Sequence, residues 1–231
     1  MTRAEELAAA HAALEARLAA ACAAAARSRA QVVLIAVSKT HPVGDVQVLR
    51  DLGVRDFGEN RDQEAKQKAA HVSGVRWHFV GSLQTNKAAS VAAYADVVHT
   101  LDRLSLVAAL SRGAVRAERT MDVLVQVSLD GDPARGGAPV REVPSLAAAA
   151  AEAPGLRLAG VMAIAPRGGP AEAAASFAVL HEVSQRMREV HPDACVISAG
   201  MTGDLEQAVA AGATHLRVGT ALFGRRPPPL R

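Results

Sequence analysis

The stretch VVLIAVSKT at residues 32–40 sets the pattern by which the rest of the chain can be interpreted. Six consecutive apolar residues, four of them β-branched, are typical of a strand buried on both faces of a parallel sheet. The run ends abruptly in Ser38, Lys39 and Thr40. Similar runs, the first seven each followed by a helical pattern, predict eight strands: 32–37, 54–57, 75–80, 95–99, 121–128, 156–162, 194–197 and 214–218.

Eight strands in alternation with helices within 231 residues indicate a (β/α)8 barrel. The alternative is a doubly wound open sheet, which usually carries a glycine-rich nucleotide fingerprint after its first strand. Neither GxGxxG nor GxxxxGK[ST] occurs in the chain, so the barrel is preferred. We therefore predict an α/β fold, a single TIM barrel that forms one domain over residues 1–231. A helix over residues 3–28, with Leu7, Leu14 and Leu18 on one side, is predicted to precede the first strand.

The composition excludes several classes of partner. A net charge of +3 is too small to indicate a nucleic acid or a membrane surface, and six aromatic residues leave little for base stacking. The apolar run 18–26 is shorter than the about 20 residues of a spanning helix. Cys22 and Cys195 are the only cysteines and form no CxxC motif, so we expect a reduced, cytoplasmic protein.

Lys39 is the most informative single residue. In a barrel of this kind the site forms at the carboxyl ends of the strands, which is where Lys39 falls. Partial burial there lowers the pKa of an amine and makes it a nucleophile toward aldehydes. The alternative is a lysine whose head lies in water or pairs with a carboxylate. Only four of the 26 basic residues are lysine, which favours a functional role.

Two glycine-containing turns follow strands seven and eight, at residues 198–202 (SAGMT) and at Gly219-Thr220. Each leads into a helix, and backbone N–H groups at such positions bind anions, in these barrels usually a phosphate. The alternative is ordinary turn and capping chemistry by Ser198 or Thr202. The presence of both turns favours a phosphate site.

An amine that captures an aldehyde and a site that holds a phosphate together suggest pyridoxal 5′-phosphate (PLP). Arg217, at the end of strand eight, would donate to an unprotonated pyridine nitrogen, because arginine has no acceptor. A structural ion pair is the alternative for Arg217. No zinc-type spacing surrounds His78 or His99, so we expect hydrogen-bonded histidines and no metal site.

Six motifs resemble the pyridoxal phosphate homeostasis proteins: AVSKT, FGEN, WHFVGSLQTNK, LDRL, GVMAI and SAGMTGDLEQAVAAGATHLRVGTALFG. The resemblance covers about residues 36–224 and implies a barrel similar to the N-terminal domain of alanine racemase, without that enzyme's second domain. It implies that Lys39 holds PLP as a Schiff base and that Arg217 faces the pyridine nitrogen. The remaining cofactor-binding residues implied by the resemblance are Asn60, His78, Met162, Ser198, Gly200, Met201, Thr202, Gly219 and Thr220.

Three positions depart from the family pattern. Ala199 and Thr202 stand in the first phosphate turn where Met and Ser are more common, and Thr202 keeps a hydroxyl. Arg61 follows FGEN where relatives carry an aromatic residue, which leaves the role of this position open. Arg135 replaces a common lysine in the turn-rich loop at residues 130–139, whose role is also open.

The resemblance implies a reversible PLP carrier or regulator in intracellular PLP homeostasis, without robust catalytic turnover. PLP-dependent apoenzymes would be its recipients, and the missing second domain favours a monomer. A racemase-like PLP enzyme is the first alternative, in which His78 or a substrate carboxylate replaces the missing second base. A Schiff-base aldolase acting on sugar phosphates, in which Lys39 attacks the substrate directly, is the second.

Overall fold

A computed structural model describes residues 1–224 and contains a closed barrel of eight parallel strands. The barrel strands are β1 (Val33–Val37), β2 (Asp56–Glu59), β3 (Arg76–Phe79), β4 (Val97–Leu101), β5 (Met121–Ser128), β7 (Leu156–Met162), β8 (Val196–Ser198) and β9 (His215–Val218). A ninth, two-residue strand, β6 (Ala138–Pro139), pairs with the end of β5. The predicted fold class is confirmed.

Neighbouring strands pair in the order β4-β3-β2-β1-β9-β8-β7-β5, and pairing of β4 with β5 closes the ring. In the register, Ile35 of β1 lies opposite Asp56 of β2 on one side and Arg217 of β9 on the other. All strands are parallel, so their carboxyl ends lie at the same rim. The polar residues that follow the strands therefore converge there.

Helices surround the barrel and cover the outer faces of its strands. Among them α5 presents Leu106, Val107 and Leu110 to the sheet, in the i, i+1, i+4 spacing of an amphipathic helix. The helices are α1 (Arg3–Ala24), α2 (Val43–Asp51), α3 (Asp62–His71), α4 (Ala88–Ala92), α5 (Leu104–Arg116), α6 (Val143–Glu152), α7 (Pro170–Val190), α8 (Leu205–Ala210) and α9 (Thr220–Phe223).

The first helix, α1, lies outside the repeat, as predicted. A capping box between Thr2 and Glu5 begins it, and Leu7, Leu14 and Leu18 are buried on a helix that packs against α2, α8 and α9. It ends at Ala24, before the predicted residue 28, because Ala26 turns the backbone into the left-handed region at φ 53°. In the described residues, α1 is the one helix long and apolar enough to cross a membrane by length and composition, a test that core helices and signal sequences also pass.

Several strand boundaries differ from the prediction. The second and fourth strands begin and end two residues later than the predicted 54–57 and 95–99. For β2, Gly58 and Glu59 extend the ladder because the Glu59 side chain is buried and paired, a feature that hydrophobicity cannot register. The single domain over residues 1–231 stays a prediction, since residues 225–231 lie outside the described part.

Candidate functional site

A cleft of about 270 Å³ opens at the carboxyl ends of β1, β8 and β9. Its polar wall combines an amine, a guanidinium, an imidazole and two hydroxyls, whereas its apolar wall is built from aliphatic side chains and a methionine. The lining residues are Val37, Lys39, His41, Val80, Ile164, Met201, Thr202, Gly203, Arg217, Gly219, Thr220 and Gly224.

The loop that carries Lys39 is fixed on both sides of that residue. Before it, the Ser38 hydroxyl donates to Glu59 Oε1 at 2.6 Å. After it, Thr40 adopts a left-handed backbone at φ 69°, and its N–H donates to Glu64 Oε1 at 2.6 Å. A non-glycine residue at positive φ is unfavourable unless its surroundings hold it. The hydrogen bond to Glu64 stabilises this conformation of Thr40 and so fixes the backbone on the C-terminal side of Lys39.

Lys68, a buried lysine of α3, connects these groups. Its Nζ lies 2.7 Å from the Ser38 carbonyl oxygen, 2.6 Å from Glu59 Oε1 and 2.7 Å from Glu64 Oε1. Burial raises the pKa of Glu59, and the Lys68 ammonium opposes that rise. The other carboxylate oxygen, Glu59 Oε2, has no hydrogen-bond partner in the described structure. Lys68 therefore joins three elements beneath the Lys39 loop.

The turn after β8 requires glycine at position 200. Gly200 has φ +90°, and a Cβ on it would lie 2.5 Å from the Ala208 Cβ and 2.7 Å from the Leu216 Cδ2. The Met201 N–H donates to Asp204 Oδ1 at 2.6 Å, which closes the turn before α8. The backbone of the turn is consequently held close to the barrel rim.

The turn after β9 lies directly beside the turn after β8. Gly219 and Thr220 lead into α9, and the Ala221 N–H lies 3.4 Å from the Thr202 hydroxyl oxygen that accepts from it. A Cβ on Gly219 would approach the Val37 carbonyl oxygen to 3.2 Å, closer than most side chains lie. The two turns therefore form one continuous wall with two hydroxyls and several backbone N–H groups.

Arg217 is buried at the bottom of the cleft. One guanidinium nitrogen donates to Ser198 Oγ at 2.6 Å and another to the Ala163 carbonyl oxygen at 2.8 Å. Burial lowers the pKa of Arg217 to about 10, so the guanidinium stays protonated at neutral pH. Arg217 thus presents only N–H donors to the cleft.

A chain of hydrogen bonds runs from Arg217 through the barrel interior. Ser198 Oγ lies 2.9 Å from His99 Nδ1, His99 Nε2 lies 2.9 Å from His78 Nδ1, and His78 Nε2 lies 2.9 Å from Asp56 Oδ1. Burial holds the pKa of His99 well below its usual value, so this imidazole is neutral. Ser198 accepts from arginine, and its own hydrogen goes to His99 Nδ1. Both histidines then carry hydrogen on Nε2, and the last one donates to the carboxylate.

The cleft brings together six of the residues predicted from the sequence: Lys39, Met201, Thr202, Arg217, Gly219 and Thr220. Ser198 and Gly200 lie behind it, where the first orients Arg217 and the second permits the turn.

The structure does not place Asn60, His78 or Met162 on the cleft wall. His78 and Met162 point into the closed barrel, since alternate residues of each strand face the interior. Met162 is fully buried against Val97 and Leu124. Asn60 follows β2, where its backbone packs so closely on Gly81 that no Cβ would fit there.

Three further residues of the site, Lys68, Glu59 and His41, were not predicted from the sequence. The scarcity of lysine was a signal for Lys68, as was Glu64 four residues before it on the same helix face. His41 lines the cleft and stacks on Phe223 at 4.7 Å between ring centroids, a contact that links distant parts of the chain. Within residues 1–224, no group of three or more possible ligands is arranged to hold a metal ion.

Known proteins share this sequence and architecture. Residues 11–227 match the family described as alanine racemase, N-terminal domain. The pyridoxal phosphate homeostasis protein of Mycobacterium tuberculosis is 42% identical over 246 aligned residues, with 97% of this chain and 94% of the relative covered. That of Escherichia coli K12 is 39% identical, with 87% and 88% covered.

Solved structures agree with the fold. PipY of Synechococcus elongatus, determined with PLP bound, is 36% identical with a TM-score of 0.76, covering 84% of this chain and 93% of PipY. Alanine racemase of Corynebacterium glutamicum is 15% identical with a TM-score of 0.68, covering 86% of this chain and 57% of the enzyme, which shows the fold alone. The chain thus belongs to the pyridoxal phosphate homeostasis protein family.

Proposed function

We propose that this protein binds PLP covalently and reversibly through Lys39 and acts in intracellular PLP homeostasis as a carrier or regulator. The observation that carries the proposal is that Lys39, Arg217, Thr202 and Thr220 line one cleft. PLP has three features to be recognised: an aldehyde, a pyridine nitrogen and a phosphate. The cleft offers an amine, a protonated guanidinium, and two adjoining turns with hydroxyl and backbone donors.

The donor set therefore fits PLP, which supplies, when bound, an aldehyde for condensation with amines and a ring that withdraws electrons. Lys39 would hold the aldehyde carbon, and Thr202, Gly219 and Thr220 would hold the phosphate, whereas the Met201 N–H is already bonded to Asp204 and Met201 would contribute packing only. Arg217 would face the ring nitrogen. These assignments follow from the chemistry of each lining group.

Arg217 supports a carrier over a catalyst. Its guanidinium has no acceptor and stays protonated at neutral pH, so it stabilises a ring nitrogen without a proton. An unprotonated pyridine is the weaker electron sink, which disfavours carbanion chemistry. The named role of the relatives in PLP homeostasis points the same way.

One observation keeps an amino-acid racemase-like activity as the second candidate. The imidazole of His41 lines the cleft, and burial lowers its pKa, so a neutral base is available beside Lys39. His78 cannot take this role from its place inside the barrel. Racemisation of free amino acids well above the rate with unbound PLP, lost in His41→Ala, would establish the enzyme.

The decisive experiment is a visible absorption spectrum with added PLP, followed by borohydride reduction and peptide mapping. We expect a yellow adduct that maps to Lys39 and disappears in Lys39→Ala, whereas Lys87→Ala, on the exposed segment after β3, retains it. A colourless wild-type protein contradicts the proposal. An undiminished adduct in Lys39→Ala would show that PLP is attached to another lysine.

The proposal extends to a monomeric, cytoplasmic protein that delivers PLP to apoenzymes and binds no nucleic acid or membrane. Light scattering on the purified protein tests the monomer. Reactivation of an apo-aminotransferase by the loaded protein, at a rate above that of spontaneous PLP release, tests delivery.

A further inference from the structure

Two arginines of α1 donate, from outside the barrel, to backbone carbonyls next to the cleft. Arg17 Nη1 donates to the Thr202 carbonyl oxygen at 2.8 Å, while Nε and Nη2 form a bidentate pair with Glu206 at 2.7 and 2.8 Å. Arg3 Nη2 donates to the Phe223 carbonyl oxygen at 2.9 Å. One contacted carbonyl lies in the turn after β8 and the other at the end of α9, the short helix that follows the turn after β9, so α1 is attached on both sides of the proposed phosphate site.

The spacing of these arginines lets one rigid helix contact both the turn after β8 and the end of α9. Arg3 and Arg17 are 14 residues apart, which is close to four helical turns and about 21 Å along the axis. They therefore project from nearly the same face, the face that also buries Leu7, Leu14 and Leu18. Burial of these leucines fixes α1 against the helices α2, α8 and α9, and the two guanidinium groups are thereby held at fixed points along the helix.

The bond from Arg17 also fixes the orientation of a peptide group. In a trans peptide the C=O and N–H point in opposite directions. Because the Thr202 carbonyl points at Arg17, the N–H of Gly203 in the same peptide unit points away from α1. Gly203 is one of the residues that line the cleft. Backbone N–H groups held in fixed orientation form sites for anions.

We propose that Arg17 is a positioning residue for the ligand phosphate, and that α1 acts as a clamp holding the turn at residues 201–204 in its anion-binding conformation before the ligand arrives. This inference rests on the proposed binding of PLP. Holding the turn in advance removes the entropic cost of ordering it during binding, so the clamp raises affinity without touching the ligand. Glu206 supports the clamp by fixing the guanidinium in a bidentate pair.

The test compares two ligands that differ only in the phosphate. Dissociation constants for PLP and for pyridoxal are measured by calorimetry on the wild type and on Arg17→Ala. We expect Arg17→Ala to weaken PLP binding about tenfold, the size of one charge-assisted hydrogen bond, and to leave pyridoxal binding within about twofold. Arg17→Lys, which keeps the charge but loses the bidentate fork, is expected to recover part of the loss.

Arg27→Ala is the matched control. Arg27 follows α1 and also donates to two carbonyl oxygens, those of Val209 and Ala213, each at 2.8 Å, away from the cleft. It is expected to leave the PLP-to-pyridoxal ratio unchanged. Equal loss for both ligands in Arg17→Ala, or no loss for either, overturns the clamp. A wild-type protein that binds pyridoxal as tightly as PLP instead overturns the phosphate site of the proposed function.

Discussion

At the scale of single residues, Lys68 has a disproportionate effect on its surroundings. It is nearly fully buried and is the cation that balances Glu59, whose side chain is also almost entirely buried. A buried ion pair adds little net stability over an apolar pair, but removal of one partner leaves an uncompensated charge. The consequence extends to the cleft, because Lys68 also holds the Ser38 carbonyl beside Lys39.

We therefore expect Lys68→Met to lower the free energy of unfolding by about 3–5 kcal/mol, measured by urea denaturation. Lys66→Met, two residues earlier on the same helix and exposed, is the control and should stay within about 0.5 kcal/mol of the wild type. Equal stability of the two variants would show that Glu59 is protonated without its partner and that the pair is not needed.

Some residues of the site could be predicted from the sequence and others could not. Lys39 stood out because it ends an apolar strand in a chain with few lysines, and the fold could then assign it to the rim. His78 was placed on the cleft by family resemblance, whereas it faces the closed interior. Both faces of a barrel strand are buried, so hydrophobic alternation along Arg76–Phe79 cannot reveal which residues point inward.

At the scale of elements, the turn between β8 and α8 shows why its sequence is constrained. Gly200 has a positive φ and no room for a Cβ, whereas Gly203, three residues later in the same turn, has open space around it. An alanine at position 200 would add about 1–2 kcal/mol of backbone strain at positive φ. Steric overlap of its Cβ with neighbouring atoms would add about 1–3 kcal/mol more.

Gly200→Ala is accordingly expected to destabilise the protein by about 2–5 kcal/mol in thermal or urea unfolding. Gly203→Ala, which meets no atom within 4 Å, should have an unfolding free energy close to that of the wild type. A Gly200→Ala variant as stable as Gly203→Ala would mean that the turn rearranges freely, and the preorganised wall described above would then be untenable.

At the scale of the whole molecule, a continuous chain of polar side chains runs through the barrel interior. Arg217 at the cleft is connected through Ser198 and two histidines to Asp56 at the start of β2. Strand alternation places these groups inside together, yet no local pattern in the sequence brings five separate strands into register. The barrel itself was predictable from the repeated strand pattern, whereas this interior chain required the closed ring.

Burial lowers the pKa of His99 well below 6.5 and that of His215 to about 4, so both are neutral in the folded protein. Below pH 6.5 the two imidazoles are protonated in the unfolded chain but stay neutral in the folded protein. The free energy of unfolding is therefore at its full value above pH 6.5 and falls as the pH drops, by about 1.4 kcal/mol per pH unit for each histidine.

We expect His99→Gln to reduce this slope by the share of one histidine between pH 6 and pH 5, measured by urea unfolding of the apoprotein. His71→Gln, an exposed histidine at the end of α3, is the control substitution. A slope unchanged by His99→Gln would show that folding does not suppress proton uptake by His99, which contradicts the neutral imidazole in the interior chain.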